Sequence, residues 1–153
     1  MMRSSRRTLK RRGRSFAISG RIVYCPDPTD AELDRLCADH VKRLAGYRCE
    51  RCGTQYATRY GDGGRVICDG LDWAHIITRK RKRTCWLPEN TFAACAGCHF
   101  YLDGNPHEKI AFAVKRLGQA RYDALRLHSQ AAGKVDRVAV RLALQQQIAE
   151  LGT

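Results

Sequence analysis

Two Cys-x-x-C pairs limit what this chain can fold into more than any other feature: Cys49 and Cys52 in "YRCERCG", and Cys95 and Cys98 in "AACAGCHFYL". Thiolates three positions apart in a knuckle or a helical turn can face one tetrahedral zinc, and two such pairs complete its shell. A zinc closed by four sulfurs keeps no open position. It is therefore expected to be structural, clamping together two segments separated by 42 residues. The competing reading makes one pair coincidental, because the chain has eight cysteines. Cys25, Cys68 and Cys85 have no partner at this spacing and read as plain thiols.

Metal ligation is preferred to disulfides because the basic N-terminus lacks the apolar stretch of a signal peptide, which predicts a cytoplasmic, reducing setting. At 153 residues and 44% hydrophobic content, the chain suits one packed domain with a tail. A formal charge of +13, from 28 Lys and Arg against 15 Asp and Glu, favours a polyanionic partner, with nucleic acid first. No apolar run approaches membrane-spanning length, so a membrane partner is not expected.

Residues 1–15 carry seven basic side chains and no acid, and read as a disordered basic arm. Such an arm is either a solvated tail or a contact for phosphates. Residues 16–46 form an N-terminal extension, irregular at first with a short strand at "RIVYC". "TDAELDRLCADHVKRLAG" then predicts an amphipathic helix, capped by Thr29 with Glu32 three positions on and stopped near Gly46. Cys37 and His40 fall on or beside its apolar face and read as packing residues. Residues 61–70 are a turn-rich hairpin, 71–78 a strand and 79–90 a basic loop. A helix is expected to begin near Asn90 and carry both Cys95 and Cys98. Asn105, Pro106 and Glu108 mark a further helix start in the C-terminal helical region 105–153, where the last helix can pack on the domain or on another copy.

At about 100° per residue, a helix that turns Cys95 and Cys98 to one metal turns His99 away from it. Taken alone, His99 would be a surface or core histidine. His75, at the end of the expected strand, and Asn90 give it company.

The order Cys-x-x-C, "WAHIITR", "PEN" and "CAGCH", over about residues 47–102, resembles the HNH endonucleases. "AHIITRKRKRTCWLPEN" followed by "CAGCHFYLDGNPHEKIAFAVKRLGQARYDALRL" is similar to phage recombination nucleases of the NinG and RecA-dependent (Ref) types, as far as about residue 127. The resemblance implies an α+β chain with a zinc-braced beta-beta-alpha metal core at 47–104 and flanking helices. It implies a metal-dependent DNA endonuclease of phage or prophage recombination or repair, with a RecA-like recombinase as a possible partner. Among the residues it implies as catalytic, His75 is the general base, Asn90 holds the active-site loop, and His99 is a ligand of a catalytic Mg2+ or Mn2+. The products would be a 5′-phosphate and a 3′-hydroxyl.

Ala74 stands where many such enzymes have a second metal ligand. Asp72, two residues earlier and so on the same strand face, is the first candidate to replace it. Asp103 and His107 are weaker ones, and each has an ordinary reading as a turn acid or a helix-start histidine. Arg79, Lys80, Arg81, Lys82 and Arg83 would otherwise be a solvated loop, but beside a phosphate site they point to DNA backbone contact. Trp86 is either a loop anchor or a stacking platform for an unpaired base. The alternative function is a non-catalytic zinc module that binds DNA or RNA. The trio His75, Asn90 and His99 separates the two, because a binding module has no need of it.

Overall fold

The computed structural model describes residues 13–152, so the basic arm expected over 1–15 lies outside the described residues up to position 12. Its last three residues belong to a strand. β1 (Gly13–Ile18) pairs antiparallel with β2 (Arg21–Pro26), and Ile18 faces Arg21 across a two-residue turn. Ser19 and Gly20 in that turn both have positive φ, 48° and 77°, the conformation that matches the twist of a tight hairpin. A regular ribbon thus replaces the irregular stretch expected over 16–28. Arg14 ties it to Asp136 at 2.8 Å.

α1 (Asp30–Leu44) begins where its cap predicts: the Thr29 hydroxyl accepts the Glu32 amide at 3.1 Å. Leu33, Cys37 and Val41 form its buried stripe, and His40 is buried beside them, as packing residues would be. After the first cysteine pair, β3 (Arg59–Tyr60) and β4 (Val66–Ile67) make the small hairpin expected over 61–70.

The centre of the molecule is β5 (Leu71–His75) paired antiparallel with β6 (Thr91–Cys95), with Asp72 opposite Ala94 and His75 opposite Thr91. This corrects the helix expected from Asn90, because helix begins only at α3 (Ala96–Gly104). Thr91, Phe92, Ala93 and Ala94 are fully buried, with α1 and α3 both packed on the pair. Small alanines let helices approach a strand closely, and the β5 ladder satisfies backbone groups that burial would otherwise orphan. Helix propensity is overridden.

Between the central strands, the basic segment is ordered as α2 (Lys82–Cys85) and a single 3-10 turn at Pro88–Asn90. α4 (Pro106–Leu117) and α5 (Gln119–Gln130) follow, joined at Gly118 with φ 81°. Pro106 opens α4, but Asn105 does not cap it; its amide donates back to the Tyr101 carbonyl at 2.7 Å. α6 (Arg137–Leu151) lies along α1, where Arg141 pairs with Glu32 and Arg137 with Asp30.

The chain is thus α+β. One core joins Leu33, Cys37 and Val41 of α1, the central strands, Leu102 of α3 and Leu144 of α6. Among the described residues, no helix is long and apolar enough to cross a membrane.

Candidate metal and active site

Cys49 and Cys52 sit on a tight turn in which the Cys49 amide donates to Thr54 and the Gly53 amide to Cys49, both at 2.9 Å. Gly53 takes φ 76° to close it. Cys95 is the residue just before α3, where the Cys98 backbone amide holds its thiol below the usual range, and Cys98 lies in the first turn, where burial holds its own thiol up. The four sulfurs lie within 4.8 Å of one another, with Cys52 and Cys95 at 3.9 Å. Ligands about 2.3 Å from a tetrahedral zinc stand about 3.8 Å apart, so this set can hold zinc with small adjustment. Cys25, Cys37, Cys68 and Cys85 do not join it, because among the described residues only the sulfurs of Cys49, Cys52, Cys95 and Cys98 converge.

His99 projects from α3 between two carboxylates, with Nδ1 3.1 Å from Asp72 and Nε2 3.4 Å from Asp103. A neutral imidazole has one N–H and can satisfy only one of them. An imidazolium, with two N–H groups, would satisfy both, whereas a neutral ring would leave the second pair to a cation. Among the described residues the four cysteines are the set whose ligand atoms converge, whereas Asp72 and Asp103 sit at opposite edges of the His99 ring, so an ion bound at one nitrogen would meet only one of them. Lys109 competes with such an ion, donating to the other oxygen of Asp103 at 2.6 Å. His107 is exposed in the first turn of α4.

His75 is only 6% exposed, and its Nε2 lies 3.1 Å from the Cys85 carbonyl. A carbonyl only accepts, so Nε2 carries the hydrogen and a neutral ring has its lone pair on Nδ1. Burial pushes the imidazole down to about 4, aided by the charges of Arg79 and Lys109 and opposed by the Cys85 carbonyl.

Asn90 is fully buried and uses both ends of its amide on the segment after His75. Its oxygen accepts from the Ile77 amide at 2.7 Å; its nitrogen donates to the carbonyls of Ile77 at 3.0 Å and Thr84 at 2.9 Å. Thr84 immediately precedes the carbonyl that holds His75.

Strand alternation sets Asp72 and Ala74 on one face and His75 on the other. Thr91, opposite His75, touches Cys37 of α1, whereas Asp72 reaches α3 through His99. The strand pair therefore stands between the two histidines. Lys109 is common to both, since it bonds Asp103 and its charge reaches His75.

Much of the basic run is engaged within the molecule. Arg79 pairs with Asp34 and lies over the Trp73 ring, Lys82 pairs with Asp30 at 2.8 Å, and Arg83 donates to the Ala132 carbonyl at 2.8 Å. Trp86 is buried, donates to Asp34 at 2.6 Å and has Lys82 and Arg137 against its ring, so it anchors the segment and offers no stacking platform.

Two contributors carry no sequence signal. Asp34 holds both Trp86 and Arg79, 52 and 45 residues away. Glu50, between the first two cysteines, accepts from the Ala93 amide at 2.9 Å and from Arg116 of α4 at 2.6 Å.

No protein-family model, curated protein or solved structure matches this chain.

Proposed function

We propose that the protein is a metal-dependent DNA endonuclease of the HNH type, with His75 as general base and a structural zinc on Cys49, Cys52, Cys95 and Cys98. The observation that carries this reading is the way Asn90 and the Cys85 carbonyl hold His75. Asn90 ties down both Ile77 and Thr84, the neighbouring carbonyl takes Nε2–H, and Nδ1 is left to receive a proton. In the hydrolysis, a water oxygen attacks phosphorus as its proton passes to Nδ1, the phosphorus–O3′ bond breaks, and the leaving O3′ takes a proton from a solvent water, giving a 5′-phosphate and a 3′-hydroxyl. Asn90 is a positioning residue. His99, with Asp72 at its Nδ1, would hold the divalent ion, whose chemistry there is to neutralise charge on the phosphate.

His75 favours a second reading by its burial, its position across the strand pair from His99, and a basicity reduced to about 4. In that reading the chain is a zinc-braced nucleic-acid-binding module in which His75 and Asn90 only close the loop.

Nicking of supercoiled plasmid with Mg2+ or Mn2+, with and without a RecA-like filament, separates the two. The nuclease reading expects wild type to cut, and His75→Ala and His99→Ala to lose at least about 100-fold with zinc content unchanged. If no protein cuts under any of these conditions while all bind DNA equally, the binding module stands.

A further inference from the structure

Away from the His99 cluster, the segment 80–83 faces the connection between α5 and α6 across an open cleft of about 730 Å³. Its walls carry Lys80, Arg81, Lys82 and Arg83 on one side and Lys134 and Arg137 on the other, with Asp27 at the edge and Trp86 in the floor. Some of these cations build the cleft. Lys82 and Arg137 share the carboxylate of Asp30, so one negative charge serves two positive ones and joins α2 to α6. Arg83 crosses to the Ala132 carbonyl, passing close to Gly133, where an added Cβ would come within 3.0 Å of the guanidinium. Gly133 takes φ 110°, which other residues rarely adopt.

Lys80, Arg81 and Lys134 are different. All three are exposed, and among the described residues none of their side chains makes an ion pair. They contribute nothing evident to the fold, and each stands free to meet an anion. Because Trp86 is buried and bonded to Asp34, the floor offers no ring for a base to stack on. Cations without an aromatic platform suit the phosphate backbone of a nucleic acid and its sequence-independent contacts.

We propose that this cleft is the nucleic-acid backbone site of the protein, with Lys80 and Arg81 gripping the phosphates from one wall and Lys134 from the other. Only its ligand class rests on the function proposed above. Lys82, Arg83 and Arg137 serve as its frame. The strand of the substrate runs between α2 and the α5–α6 connection, so a part of the chain remote from the cysteines takes part in binding.

The test is equilibrium binding of the full chain, zinc-loaded, to a 30-base-pair duplex of arbitrary sequence over a series of salt concentrations. Two triple variants are compared: Lys80→Ala/Arg81→Ala/Lys134→Ala in the cleft, and Arg35→Ala/Arg65→Ala/Lys115→Ala on other surfaces. The cleft variant should weaken binding at least about tenfold at low salt, and the slope of log K against log salt should flatten by about one per cation that meets a phosphate. The control triple should change little, and a second duplex of unrelated sequence should behave alike. Unchanged affinity and slope in the cleft variant, or an equal loss in the control triple, overturns the site. Cleavage by the wild type separates the two ideas: if it cuts no DNA while the cleft-specific change in slope is found, the nuclease is refuted and the cleft stands.

Discussion

The buried imidazole of His75 makes stability depend on pH in a window where few other groups titrate. Its pKa falls from an ordinary 6.5 to about 4 on folding, chiefly through burial. The unfolded chain then binds the proton more readily, so stability is full above the unfolded value and is lost as pH falls towards the folded one. With those two values, acidification from pH 8 to pH 5 removes about 2 kcal/mol, a large fraction of a small domain's margin. The variant His75→Gln isolates this loss, because its amide can still donate to the Cys85 carbonyl but does not titrate. Urea unfolding of both proteins at each pH, with zinc in excess, supplies the comparison, and the wild-type advantage should shrink by about 2 kcal/mol across the window. An advantage constant to within about 0.5 kcal/mol would show that His75 titrates alike in both states and refute the reasoning. Imidazole resonances that titrate near 6.5 would do the same.

Asn90→Ala removes the side-chain partner of the Ile77 amide and carbonyl, while the Thr84 carbonyl keeps the Leu87 amide; a loss of about 2–4 kcal/mol is expected in denaturant unfolding, and less than about 1 kcal/mol would mean that water replaces the side chain. Metal analysis should find one zinc per chain in the wild type and none in Cys98→Ser, with a lower unfolding midpoint for the variant. Equal zinc in both would point to a different ligand set.

The start of α1 and the cysteine cluster could be read from the sequence because both depend on short-range chemistry: a hydroxyl three residues from its amide, and thiols at a fixed step. Even there the capping box is half made, since Glu32 turns to Arg141 instead of back to its own helix end. The first hairpin has a local signal too, Ser19-Gly20 between alternating residues, whereas Pro26 and Pro28 exclude a helix there without marking a strand pair. "TFAAC" failed for another reason. Its alanines carry helix propensity, whereas the burial that makes them strand comes from α1 and α3, which no local window contains. For the candidate site, spacing could pick out His75, Asn90 and His99 but not which face each would occupy. That depends on Asp72, Thr91 and Cys85, partners set by strand register and by the path of the chain between the strands.

Glu50 gives the zinc knuckle a reach beyond its own turn. It sits inside the first cysteine pair, and its carboxylate links β6 to Arg116, which also donates to the Glu89 carbonyl at 3.2 Å, next door to Asn90. A metal held by the four cysteines would therefore be linked thermodynamically to the rigidity of the Asn90 loop. Removing zinc from the loaded protein should shorten the hydrogen-exchange lifetime of the Ile77 amide, bonded to Asn90, before the helices open, so a bound metal would act as a tensioner on a loop it never touches.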